Sequence, residues 1–332
     1  MKQRLEYIDA LRGLAILLVV FMHVPQYGQA GDVGGYYMML VKMLTVPLFF
    51  FISGLFVPLS VTPPISGRKY LKRAHTLLLP TILIGGVYAS LYDIPIAELL
   101  NDKYKAGYWF TLTLFEYYVI ADVVKLISRR RQIVCDMLLI VMSVACYLVA
   151  MPSARRLYAD VSLLHIIGIE QWKYFVFFVM GMFVKRYADA VQSDKGGAVI
   201  VSAFIAVYIV NAVGDFRFGG LLFHVNWLLQ QAMSVLLVYY VFYKYRNTFS
   251  SLTVVGKWLS LIGTSTLEIY LLHYFVLPRH LSVLSEALGL SENPLVALFA
   301  VALTVIGTVA VVLAAKEVLQ CNPYVRKLLW NK

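Results

Sequence analysis

Asp9-Ala10-Leu11-Arg12-Gly13, followed by an apolar run that ends Phe21-Met22-His23, is the stretch whose reading decides the fold. A run of about 20 apolar residues is what a helix needs to cross a bilayer, and this one carries two ionisable side chains. Arg12 and His23 are eleven residues apart, which at about 100° per residue returns nearly to the starting direction, so both project from one helix face. At about 1.5 Å per residue they lie about 16 Å apart along the axis. One face therefore presents a permanent cation near one membrane surface and a titratable imidazole toward the other. Ionisable groups at membrane depth are costly, face a protein or water-filled interior, and mark functional sites by default. Taken singly, Arg12 would snorkel into the headgroups and His23 would hydrogen-bond a neighbouring helix; their shared face favours a common interior.

The 332-residue chain is 61% hydrophobic and 14% charged, against about 25% charged in soluble domains, which makes it an integral membrane protein with the lipid bilayer as its first partner. Its net charge of +11 lies in alternate connections between apolar runs, the pattern that records orientation in a multispanning protein. No basic-aromatic interleaving or nucleic-acid motif accompanies it, so nucleic acid is excluded as a partner. Cys135, Cys146 and Cys321 have no metal-ligand spacing, and their odd number argues against a complete disulfide framework; no metal is expected. Lys2 and Arg4 ahead of an apolar run resemble a signal peptide, but an uncleaved first span is preferred, because cleavage would discard the Arg12/His23 face.

Reading about 20 apolar residues per crossing gives spans near 10–27, 37–59, 75–93, 107–127, 133–150, 173–185, 197–213, 222–243, 258–278 and 294–315. The expected fold class is an all-α integral membrane protein, one bundle of about ten transmembrane helices forming a single domain over residues 1–332. The sixth span is short, so it begins earlier or sits where neighbours thin the membrane. Lys2 and Arg4, Arg68 to Arg73, Arg129 to Arg131, Lys185 to Lys195, Lys244 to Lys257 and Lys316 to Lys332 fall on one side. Both termini are therefore expected in the cytoplasm, with Arg12 near the cytoplasmic face and His23 in the outer half.

Further polar groups interrupt the spans. Ser53-Gly54 in span two suits tight helix packing. The cluster around Lys72 and Arg73 is an orientation signal in contact with lipid headgroups, or else holds the phosphates of an anionic cofactor. Trp109 suits the aromatic belt, while Glu116, seven residues on and on the same face, sits near mid-membrane. Asp122 reads as interfacial. Span nine adds Glu268 and His273, and span eight adds His224, Asn226, Gln230 and Gln231, which line an interior or bond between helices. Arg12, His23, Glu116, Glu268 and His273, on three helices, are expected to converge on an internal polar cavity.

From the residues alone two classes stand. One is a secondary transporter of a small anion or acyl metabolite, with Glu and His relaying protons and Arg binding an anion. The other is an enzyme whose His is general base toward a hydroxyl while a basic cytoplasmic edge holds a charged donor.

Arg12 with His23, set in Asp9-Ala10-Leu11-Arg12-Gly13-Leu14-Ala15-Ile16, resembles the first-helix motif of the acyltransferase 3 family of membrane O-acyltransferases. The similarity continues through Phe49 to Gly54, Tyr108-Trp109-Phe110, Phe177 to Met182, and Leu267-Glu268-Ile269-Tyr270-Leu271-Leu272-His273. The resemblance implies about ten spans and transfer of an acyl group, most often acetyl from acetyl-CoA, to a hydroxyl of a surface glycan or glycolipid. It makes His23 the catalytic histidine, as general base or transiently acetylated, and Arg12 its essential partner, which would contact the CoA phosphates or pantetheine carbonyls or stabilise the oxyanion. Lys72 and Arg73 would contact the donor, with Arg73 matching the first of two family arginines and Thr76 standing at the second. Trp109, Glu116, Glu268 and His273 would serve the acceptor, Glu268 and His273 by orienting it or His23. A histidine the family often has near the Trp-Phe motif is replaced here by Ala106 and Gly107.

Overall fold

The computed structural model describes residues 5–28, 35–58, 67–128, 131–158, 160–214, 220–278 and 294–330. Lys2, Arg4, Arg129, Arg130 and Lys332 of the orientation pattern lie outside them. Among the described residues the regular structure is helical: α1 (Glu6–Gly28), α2 (Gly35–Leu55), α3 (Gly67–Leu91), α4 (Ile96–Asn101), α5 (Trp109–Ile127), α6 (Gln132–Val149), α7 (Ser162–Ile166), α8 (Phe175–Arg186), α9 (Ala188–Val191), α10 (Asp194–Val213), α11 (Leu221–Lys244), α12 (Val254–Thr264), α13 (Thr266–Val276), α14 (Pro294–Cys321) and α15 (Pro323–Trp330). Short 3-10 turns lie at Lys105–Gly107, Arg155–Leu157 and Ile169–Tyr174.

Seven of the described helices, α1, α2, α3, α6, α10, α11 and α14, are long and apolar enough to cross a membrane, and α12 with α13 makes an eighth if that bent pair is one span. The fold is an all-α, multispanning bundle. Of the ten expected spans, the fourth and sixth form helices that fall short of that mark. α5 is interrupted by Glu116, Asp122 and Lys125. α8 has 12 residues, about 18 Å of helix against a hydrocarbon core of about 30 Å, and is led in by the 3-10 stretch Ile169–Tyr174.

Span nine, expected as one helix over 258–278, is broken: α12 and α13 meet at a 79° bend. The cause lies in Thr264-Ser265-Thr266. Thr264 donates to the Leu261 carbonyl at 3.0 Å and Thr266 to that of Gly263 at 2.6 Å, the local side-chain bonding that competes with a helix. Ser265 leaves helical geometry at φ −107°, ψ 20°.

The chain divides into two compact units. In the first, Met1–Leu55 with Phe183–Val312, α1 packs on α12, α2, α13 and α11, while α11 also packs on α2 and α10. α1 and α12 touch backbone to backbone. A Cβ on Gly13 would stand 2.1 Å from the Leu259 carbonyl oxygen, and one on Gly263 would stand 1.8 Å from that of Asp9. Small residues admit such approach where lipid supplies no hydrophobic drive between helices. The amides of span eight bond between helices: Asn226 and Gln230 both donate to the Asn211 side-chain oxygen, at 2.7 and 3.0 Å. Ser53 donates back to the Phe49 carbonyl at 2.9 Å.

In the second unit, Phe56–Met182 with Leu313–Lys332, α3 packs on α5 and α15, α5 on α6, α6 on the Ile169–Tyr174 turn, and α4 on α7. Tyr117, Phe175, Phe177 and Phe178 form its fully buried aromatic centre. The Tyr117 hydroxyl donates to the Gln171 carbonyl at 2.7 Å, which ties α5 to the turn that precedes α8.

Candidate active site

A polar arrangement of the first unit lies between α1 and α13. His273 is fully buried. Its Nδ1 is 2.9 Å from the Ile269 carbonyl oxygen, one turn back along α13, and its Nε2 is 2.9 Å from Nδ1 of His23 on α1. The two rings are nearly parallel, with centroids 5.2 Å apart. The Tyr274 hydroxyl approaches Nε2 of His23 to 3.5 Å, and its ring packs 4.0 Å from that of His273. Glu268 is buried in the first turn of the same helix. The two histidines expected in the outer half of spans one and nine are therefore in direct contact. Tyr274 escaped the sequence reading, since an aromatic in a span is ordinarily packing.

Arg12 lies at the other end of α1. Its guanidinium Nη1 is 3.4 Å from the Asp9 carboxylate, with Asp9 buried and Arg12 about one-third exposed. Beside it α1 and α12 enclose a cleft of about 420 Å³ whose lining includes Glu6, Asp9, Lys257, Trp258 and Thr264. Glu6 holds its far wall, accepting from the Ser251 backbone N–H and hydroxyl, each at 2.8 Å.

The remaining expected site residues belong to the second unit. Lys72 is exposed. Arg73 is engaged within the unit: Nη1 is 3.7 Å from Asp122, and the guanidinium lies 4.0 Å over the Tyr118 ring. Asp122 is buried rather than interfacial. It accepts from the Tyr70 hydroxyl at 3.0 Å and pairs with Lys125 at 3.5 Å, because three donors from α3 and α5 surround it.

Glu116 does not reach Trp109, although both lie on one side of α5. It accepts from the indole N–H of Trp172 at 2.9 Å, while Trp109 packs against Tyr174, centroids 6.1 Å apart. Trp172 and Tyr174 both come from the 3-10 turn before α8.

Ahead of Trp109, Lys105, Ala106 and Gly107 run consecutively through positive φ (47°, 49° and 99°), a strained path for the first two. Lys105 holds that path by donating to the carbonyls of Leu100 at 2.9 Å, His165 at 3.0 Å and Asp102 at 3.4 Å. Burial lowers its pKa from the ordinary lysine value, against the opposing pull of Asp102, Glu116 and Glu170.

Long apolar helices around a buried imidazole, His273, in contact with a half-buried one, His23, define a multispanning membrane protein with an ionisable interior. Residues 5–313 match the acyltransferase 3 family model, described as an acyltransferase domain, and the chain belongs to that family. No significant match occurs among curated proteins or among solved structures. Membership supports acyl transfer from an acyl-CoA-like donor in general.

Proposed function

We propose that this protein is a cell inner-membrane O-acetyltransferase that moves acetyl from cytoplasmic acetyl-CoA to a hydroxyl of a surface glycan or glycolipid. The contact of His23 with His273 inside the packed α1–α13 interface carries this reading, together with the family match. A general base must be held in a fixed place, and the contact with a second imidazole holds His23 in one.

In this reading the acceptor oxygen attacks the thioester carbonyl carbon while His23 takes the hydroxyl proton. The tetrahedral oxyanion then collapses, the C–S bond breaks, and the CoA thiolate recovers the proton from His23. Arg12, about 16 Å along α1 from His23, is too far to meet that oxyanion. The separation is one that an extended pantetheine arm spans, which supports reading Arg12 as a contact for the phosphate end of the donor, with the thioester at His23. Lys72, exposed at the expected cytoplasmic edge, is a donor contact by the sequence resemblance alone. Trp109 offers a face for a sugar ring, and Glu116 and Glu268 are acceptor-side carboxylates. About ten spans with both termini cytoplasmic put the donor end of α1 on the cytoplasmic side.

The test is purified protein in nanodiscs with labelled acetyl-CoA. Release of CoA, with label passing to an added glycan acceptor, supports the reading. Counterflow of acetyl-CoA or acetate in liposomes with no acyl transfer returns the chain to the transporter class.

A further inference from the structure

We propose that His273 is a positioning residue that fixes the proton on Nδ1 of His23, so that Nε2 of His23 is the atom that takes the acceptor's proton. This rests on the acyl-transfer reading above and adds the direction in which the proton moves. Of the two roles the sequence resemblance implied for His273, orienting the acceptor or orienting His23, it takes the second and names the atoms.

The assignment follows from one fixed point. The Ile269 carbonyl can only accept, and it lies 2.9 Å from Nδ1 of His273, so Nδ1 of His273 carries its hydrogen. A neutral imidazole has one N–H, which leaves Nε2 of His273 as an acceptor. The atom 2.9 Å from it is Nδ1 of His23, which must therefore donate. His23 then carries its lone pair on Nε2, on the side where the Tyr274 hydroxyl stands at 3.5 Å, the outer limit of a hydrogen bond. Two imidazolium rings at this separation would repel, so at most one ring of the pair is charged, and the neutral pair is the form in which His23 can take a proton.

Base catalysis, or transient acetylation of His23, takes place at Nε2. Once Nε2 is protonated, Nδ1–H still donates to His273, now as a charge-assisted bond that stabilises the imidazolium. The chain ends at a peptide carbonyl, which is not a base, so the proton stays on His23 and is available for the departing thiolate. Tyr274 marks the place where the acceptor hydroxyl arrives.

The first test needs no variant of the pair. Wild-type protein with ¹⁵N-labelled histidine in nanodiscs should show Nδ1–H on both rings, with His23 assigned among the six histidines by the resonance lost in His23→Ala. An Nε2–H tautomer on either ring overturns the proposal.

The second test is kinetic. His273→Leu should lower kcat about 10²-fold or more at unchanged KM for acetyl-CoA. His273→Gln, whose amide oxygen can accept from Nδ1–H of His23, should recover most of that loss. Equal rates for the Leu and Gln variants overturn the proposal, as does a parallel fall of both with melting temperature. If His23→Ala is inactive while His273→Leu keeps a wild-type kcat, the positioning role alone fails. If His23→Ala transfers acetyl normally, the reading beneath it fails.

Discussion

Gly13→Ala places a methyl group where the backbone of α12 already stands. The new Cβ would lie 2.1 Å from the Leu259 carbonyl oxygen, whereas ordinary contact begins at 3.4 Å, a shortfall of about 1.3 Å. A helix carbonyl cannot swing aside as a side chain can, so α1 and α12 must separate by about that distance. Overpacking of this kind costs about 1–3 kcal/mol. The shift also reaches the site, because His23 lies ten residues further along α1, and a displacement of about 1 Å takes its 2.9 Å contact with His273 beyond hydrogen-bonding range. Misplacement of about 1 Å can lower a rate about 10²-fold. The assay is thermal unfolding in nanodiscs together with the initial rate at saturating acetyl-CoA. Gly307→Ala on α14 is the control, since nothing lies within 4 Å of its added Cβ, and it should be neutral or stabilising. A Gly13→Ala protein with wild-type melting temperature and rate would refute the backbone contact between α1 and α12.

Lys72→Glu should raise KM for acetyl-CoA while leaving the melting temperature alone, because Lys72 is exposed. Arg73→Glu should lower the melting temperature as well, since it breaks the Asp122 and Tyr118 contacts; an unchanged KM in well-inserted Lys72→Glu would mark the cluster as an orientation signal. Trp172→Phe strips Glu116 of an indole donor at 2.9 Å and should cost about 1–3 kcal/mol in thermal or chemical unfolding; no loss would mean the bond is not made. Burial lowers the pKa of Lys105 below 10.5, so between its folded pKa and 10.5 the unfolded chain binds more protons and stability rises with pH. Wild type should therefore gain on Lys105→Met as pH climbs through that window, and a pH-independent difference would refute a depressed pKa.

The parts of this molecule that obey a long period were legible. The apolar runs located the helices, and the spacing of Arg12 and His23 placed a cation and an imidazole at opposite ends of α1. His23 and His273, read separately as residues of the outer half, meet at 2.9 Å. What escaped the reading has no period. Ile169–Tyr174 is a 3-10 turn, so nothing in sequence spacing announced that Trp172 would satisfy Glu116 or that Tyr174 would back Trp109. The 79° break in span nine was signalled only by three hydroxyl residues at 264–266, inside a run apolar enough to read as continuous. Sequence alone reads Asp122 as interfacial, because its partners Tyr70 and Arg73 arrive from α3, a pairing that only the packing of α3 on α5 creates. Gly13 was visible as a glycine, but its necessity depends on Leu259, 246 positions away.

Whether His23 is the base is read from acetyl transfer by purified His23→Ala in nanodiscs, beside wild type at saturating acetyl-CoA. Removing this imidazole strands no charge but leaves Nε2 of the buried His273 without its donor, so the variant should insert while losing about 1–3 kcal/mol of stability. Its transfer rate should fall about 10²- to 10⁴-fold, or further if His23 also carries the acetyl group. Near-normal acetylation by a well-inserted His23→Ala protein would contradict the account.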